Sequence, residues 1–217
     1  MKKFINLFCL FFIVSLTVKA DSPLTSTPFY TSYLDIEEVK YASTQSLDDK
    51  LLEYLGSAKG DPVTKIAIIN ALSWGKTKYV TLFENYLLKN RKGLKKDVFD
   101  YMRTVSDETP EETDQTYLMT ADDVMCWTYL QTMGDYNAPA KGMKAGYFCF
   151  TRNQKSMAHV VVFTLIAAQK AFDEDWCRVY LIPKKMLGET EYTTNIVKSE
   201  AIKIILDYTG LYSTECK

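Results

Sequence analysis

The sequence predicts an all-α fold of about nine helices. Three observations carry that reading. Apolar residues recur every three to four positions through most of the chain. Asp, Ser or Thr stands where these segments begin, and Gly or Pro stands where they end. No segment keeps the strict alternation of a half-buried strand: YFCF and CRVYLI have strand propensity, but their neighbours carry helix caps.

The elements follow in order. Residues 21–45 are rich in Ser, Thr, Pro and Tyr without a sustained period, so they read as an extended lead-in with a short helical turn near Asp35–Ala42. A single α-helical domain then runs over 46–217. LDDKLLEYLG follows a Ser46 cap and stops at Gly56. GDPVTKIAIINALSWG has Asp61 as cap, Pro62 at the first helical position and Gly75 past the end. That helix is apolar on nearly every side and therefore needs neighbours on several sides. Thr77–Asn90 gathers Tyr79, Leu82, Phe83, Tyr86 and Leu87 on one face, and Leu94–Val105 does the same with Val98, Tyr101 and Met102. Pro110 opens a short helix, and Thr120 caps ADDVMCWTYLQTM, which ends at Gly134. Pro139 opens a helix running to about Phe150. Asn153–Phe172 contains MAHVVVFTLIAA, a core helix too short and too interrupted to span a bilayer of ~20 apolar residues. Asp173 caps a helix that Pro183 ends, and Thr194–Tyr208 is the last.

The stretch 46–75, Ser46 followed by LDDKLLEYLGSAKGDPVTKIAIINALSWG, resembles a HEAT-type helical repeat. Asp61, Pro62, Ile66, Ala67, Ala71 and Leu72 stand where that pattern puts its turn and second helix. The resemblance implies a protein-binding scaffold and no chemistry of its own. The expected architecture is stacked antiparallel helical hairpins, either a HEAT-like superhelix or an irregular multi-helix array.

Residues 1–20, MKKFINLFCLFFIVSLTVKA, have the layout of a cleaved signal peptide: Lys2 and Lys3, an apolar stretch from Phe4 to Leu16, then Val18 and Ala20 as small residues before the cut. The chain is expected to be exported to the periplasm or outside the cell, with a bacterial style of leader. Removing Lys2, Lys3 and Lys19 from 26 basic and 27 acidic side chains leaves 23 against 27, a net charge of −4 on 197 residues. That balance argues against a nucleic-acid partner, and the mature chain offers no transmembrane segment. Cys126, Cys149, Cys177 and Cys216 remain, and export favours disulfides. The preferred pairing is Cys126–Cys149 with Cys177–Cys216, the second tying down a tail, each contributing roughly 3–4 kcal/mol. Buried free thiols are the competing reading.

No H-E-x-x-H, C-x-x-C, G-x-S-x-G, Walker A or G-x-G-x-x-G motif occurs in the mature chain, and His159 is its one histidine, so no metal or cofactor is expected. His159 with Cys149 could form a nucleophile pair, but its apolar surroundings favour a structural histidine. The pairs Glu111/Glu112, Asp122/Asp123 and Asp173/Asp175 fall at expected helix starts, where carboxylates cap free N–H groups and complement the dipole; that explains them better than paired-carboxylate hydrolysis. Trp74, Trp127 and Trp176 each lie beside a cap or an apolar stripe and read as core, while some of the fifteen Tyr must be exposed and suit recognition.

Charge is segregated. KNRKGLKK supplies Lys89, Arg91, Lys92, Lys95 and Lys96, and DETPEETD supplies Asp107, Glu108, Glu111 and Glu112 together with Asp114. They flank the helix 94–105 with signs opposed to its dipole, at a cost of ~0.3–1 kcal/mol per charge. Solvated loops would look the same, but the arrangement suits one rim of a partner-binding face. The expectation is an exported, non-enzymatic scaffold that binds a protein, immunity- or inhibitor-like in one form. A cell-wall or glycan-directed hydrolase is the alternative, and a structural subunit of an envelope complex a third.

Overall fold

The computed structural model describes residues 22–104, 115–188 and 191–217. Among these residues the fold is all-α. The helices are α1 (Glu37–Ala42), α2 (Asp49–Gly56), α3 (Pro62–Ala71), α4 (Lys78–Asn90), α5 (Asp97–Thr104), α6 (Ala121–Gly134), α7 (Ala140–Arg152), α8 (Met157–Phe172), α9 (Trp176–Pro183) and α10 (Ser199–Gly210). Short 3-10 turns cover Phe29–Tyr33, Thr116–Leu118 and Ser213–Glu215, and a π turn, Lys184–Gly188, continues α9. The signal segment, the acidic stretch 107–114 and the helix expected at Pro110 lie outside the described residues.

Local chemistry sets the boundaries. The Asp61 carboxylate accepts the Thr64 N–H at 2.8 Å, and Pro62 occupies the first turn of α3. Thr120 and Asp123 form a full capping box on α6. Asp48 and Asp175, not Ser46 and Asp173, cap α2 and α9, because theirs are the carboxylates that reach the free N–H groups. α5 starts three residues later than its apolar period suggests. Lys95 and Lys96 therefore precede it, while the charges within it, Asp97 and Asp100 in its first turn and Arg103 in its last, complement its dipole. α3 ends at Ala71, Ser73 and Gly75 then take positive φ (67° and 74°), and the Gly75 N–H donates to the Met133 carbonyl at 2.9 Å. α10 begins at Ser199, not Thr194. Met157 N–H donates to the Thr194 carbonyl and Asn195 sits at φ 49°, so 194–198 is a strap over the start of α8.

From α6 to α9 each helix packs on the next through a short loop, as antiparallel hairpins do. The first half is different. α2 packs chiefly on α4 and α6, whereas α3 packs on α1, the first 3-10 turn, α6 and α8. Of the two architectures open within the all-α class, the contacts describe the irregular array, with α6 and α8 as its axis. Both are buried on nearly all sides, and so is α3, whose Val63 to Ala71 are buried without a gap. That is why its sequence has no wet face. At the end of α2, a Cβ on Gly56 would lie 2.1 Å from the Tyr86 ring of α4, so any side chain there would have to displace that ring.

Residues 22–45 are not an extended lead-in. Leu24, Phe29, Tyr33, Val39 and Ala42 are buried, and the segment joins α3 to α10. Its turns are too short to display a period. Its anchors are distant in sequence: Leu24 N–H donates to Gln169 Oε1 (3.2 Å), Tyr30 N–H to Asn70 Oδ1 (3.0 Å), and Lys198 N–H to the Tyr33 hydroxyl oxygen (2.7 Å).

Cys177 and Cys216 are disulfide-bonded, while Cys126 and Cys149 are buried free thiols. The preferred Cys126–Cys149 pairing is therefore corrected. The two sulfurs face different carbonyls, Leu55 at 3.9 Å and His159 at 3.7 Å, and burial pushes both thiol pKa values up. Trp127 is core as expected, but Trp176 is 51% exposed, its ring stacked on Phe172 and its Nε1–H donating to the Phe172 carbonyl. Tyr212 sets its edge against both rings, yet none of residues 211–217 is fully buried. The bond closes a loop of 39-residue separation, worth ~4 kcal/mol on the chain-entropy argument. Cys177→Ser/Cys216→Ser should lower unfolding free energy in urea by up to that amount and leave far-ultraviolet helicity unchanged.

Candidate functional site: a lysine-rich rim

The loop between α4 and α5 is built around one inward-turned arginine. Arg91 donates from Nε and Nη2 to the two oxygens of Asp123, both at 2.8 Å, and from Nη2 to the Gly56 carbonyl at 2.7 Å. Asp123 is 1% exposed and also accepts the Thr120 N–H within the capping box. One ion pair thus joins the end of α4, the end of α2 and the start of α6. The hydrogen bonds to Asp123 raise the Arg91 pKa above its ordinary value.

The rest of the loop follows from that anchor. Gly93 takes φ 83°, Leu94 is buried, and the Lys95 N–H donates to Gln115 Oε1 at 3.0 Å. Lys89, Lys92, Lys95 and Lys96 are left exposed. Among the described residues none of these four ammonium groups has an ion-pair or hydrogen-bond partner. Beside them, the turn Thr116–Leu118 exposes Tyr117 (65%) and Leu118. Arg152 holds that turn, donating to the Met119 and Thr116 carbonyls and lying 5.6 Å from the centre of the Tyr117 ring. On the other side of Lys89 an open groove of about 520 Å³ runs between α2 and α4, lined by Asp49, Glu53, Leu82 and Tyr86.

Of the residues expected on the rim, Lys89, Lys92, Lys95 and Lys96 meet there, and Arg91 is its inward clamp. Asp107, Glu108, Glu111 and Glu112 lie outside the described residues. The contribution of Tyr117 and Leu118 was not read from sequence, since nothing in TDQTYLMT separates a buried turn from an exposed one.

The groups weighed for catalysis are closed in. His159 is 0% exposed. Its Nδ1 lies 2.8 Å from the Ser156 hydroxyl, which also accepts from Asn195 Nδ2 at 2.8 Å. Its Nε2 is 3.5 Å from Asp122 Oδ1, an electrostatic contact without hydrogen-bond geometry. The other Asp122 oxygen accepts from Lys65, a lysine 1% exposed whose ammonium also donates to the Ser57 carbonyl, both at 2.8 Å. Cys149 meets only the backbone carbonyl of His159, so the two form no thiol–imidazole pair. Of the other acidic pairs, Asp123 and Asp175 cap helices as the helix-start reading requires. A second buried carboxylate, Glu84, receives Trp127 Nε1–H at 2.7 Å and the Arg103 guanidinium, tying α4, α5 and α6 together. Among the described residues no cluster of His, Cys, Asp and Glu is arranged to hold a metal ion, and no helix is long and apolar enough to cross a membrane.

Two measurements test these networks. Arg91→Met leaves Asp123 buried without its partner and should cost ~3–5 kcal/mol in chemical denaturation, with Arg91→Lys recovering only part because an ammonium lacks the planar fork. Burial lowers the His159 pKa below 6.5, against the opposing pull of Asp122 and with Lys65 adding to the lowering. The unfolded chain therefore binds the proton first, so stability is full above ~6.5 and falls as pH drops below that value. The melting temperature should decline between pH 7 and pH 5, and His159→Gln should flatten that part of the profile.

The chain matches no protein-family model, no curated protein and no solved structure.

Proposed function

We propose that the protein is an exported, non-enzymatic helical scaffold that binds a protein partner in the cell envelope or outside the cell, using the rim around Lys89–Lys96. The observation that carries this reading is the division of labour within one loop. Its single arginine turns into the fold, while its four lysines are held outward, unpaired among the described residues, on a backbone fixed by Arg91, Leu94 and the Gln115 contact. A fixed loop presents charge without the ordering cost of a floppy one. Tyr117 and Leu118 add the aromatic and apolar contact area that protein interfaces favour. The partner surface that fits is acidic, and an immunity- or inhibitor-like pairing with an envelope protein is one form of it.

Mature protein immobilised on beads should recover a partner from its native envelope extract. Lys92→Glu/Lys95→Glu/Lys96→Glu should weaken the purified pair by about 10- to 100-fold, and wild-type affinity should fall with added salt. Recovery of no partner, combined with turnover on a hydrolase panel, overturns the reading, as does a partner that binds the triple variant equally well.

A further inference from the structure

A second concave site lies away from the rim, where the N-terminal segment crosses the end of α3. It is a cleft of about 560 Å³, within the usual range of small-molecule sites. Leu24, Pro28, Ala71 and Met133 supply its apolar lining, and Tyr30 and Trp74 its two aromatic rings. Thr25, Ser26, Asn70 and Ser73 complete it, so no ionisable acid or base other than the Tyr30 phenol lines the cleft.

The polar lining groups differ in whether a protein hydrogen bond already occupies them. Asn70 is fully used: Oδ1 accepts the Tyr30 N–H, and Nδ2 donates to the Thr27 carbonyl and the Tyr129 hydroxyl. Trp74 is held by its edge contact with Tyr136, centroids 5.0 Å apart. Among the described residues the indole N–H of Trp74, the hydroxyl of Tyr30 and the hydroxyl of Ser73 carry no hydrogen bond. Ser73 sits at φ 67° as the left-handed residue that ends α3, and its turn is pinned to α6 through Gly75 and Met133.

We propose that this cleft binds a neutral carbohydrate. Aromatic faces pack against the C–H faces of a pyranose, and the indole N–H, phenol and serine hydroxyl are uncharged partners for its hydroxyl groups. A charged ligand would lose its hydration here without gaining a countercharge, and a purely apolar one would leave the three donors unmatched. The proposal is independent of the lysine rim, and either can fail without the other.

The test titrates mature protein with chitotriose and with maltotriose, read by saturation-transfer NMR and by calorimetry. At least one should bind with a dissociation constant in the range of about 10 μM to 5 mM, unchanged between about 0.05 and 0.5 M salt because no charge pair contributes. Trp74→Ala should weaken it by about tenfold or more, the worth of one aromatic contact. Trp74→Phe keeps a ring against Tyr136 and should lose about threefold through the missing N–H. Both variants are compared by thermal melt, and the Phe variant decides the matter if the Ala variant unfolds. Binding should persist in the Lys92→Glu/Lys95→Glu/Lys96→Glu protein. Absence of saturation transfer from both sugars at ~10 mM overturns the proposal. So does binding undiminished by either Trp74 substitution, or tighter binding of N-acetyl-leucinamide or glucuronate than of the neutral sugars.

Discussion

The Arg91–Asp123 pair is the constraint on which the first half of the molecule depends. A carboxylate buried to 1% exposure is tolerable only if its lone pairs are filled, and here two N–H groups of one guanidinium and the backbone of the α6 capping box fill them. The same guanidinium satisfies the Gly56 carbonyl at the end of α2. Three helix ends that no hairpin brings together are thereby fixed in one place. The position of the lysine rim is a by-product of that anchor, since the residues on either side of an inward-facing arginine must point elsewhere.

A second layer of polar contacts runs through the centre. Lys65 from α3, Asp122 from α6 and His159 from α8 meet where three apolar helices cross, and Glu84 from α4 meets Trp127 of α6 and Arg103 of α5. These networks specify which helix lies against which more sharply than the apolar surfaces do, because a slipped helix would strand a charge in the core. They engage the side chains of Lys65, Asp122, Glu84 and Arg103 with partners inside the fold.

The helices and most of their caps were legible in the sequence because both signals are local. Asp61–Pro62, Thr120 and the apolar run around Val160–Val162 each report their own surroundings. What was not legible depends on partners far away. Arg91 sits in a run of lysines and gives no local sign that it folds inward; only its being the sole arginine there hints at a planar, bidentate role. Lys65 gives no local sign that it is buried, because its partner, Asp122, lies 57 residues on. The segment 22–45 failed as a lead-in for the same reason, its anchors lying in α3, α8 and α10. Cys126 and Cys149 look like any pair of exported cysteines until their helices show the sulfurs facing separate carbonyls.

The N-terminal clasp has a consequence for how the chain reaches its native state. Leu24 is tied to Gln169 and Tyr33 to Lys198, sequence separations of 145 and 165 residues. A protein whose N-terminal described residues dock on its last helices has contacts of high sequence separation, and these close late. The first 3-10 turn packs on both α3 and α10, so the cover over α3 reaches its full set of contacts only after α10 has been synthesised. Final packing of the N-terminal segment therefore waits for nearly the whole chain.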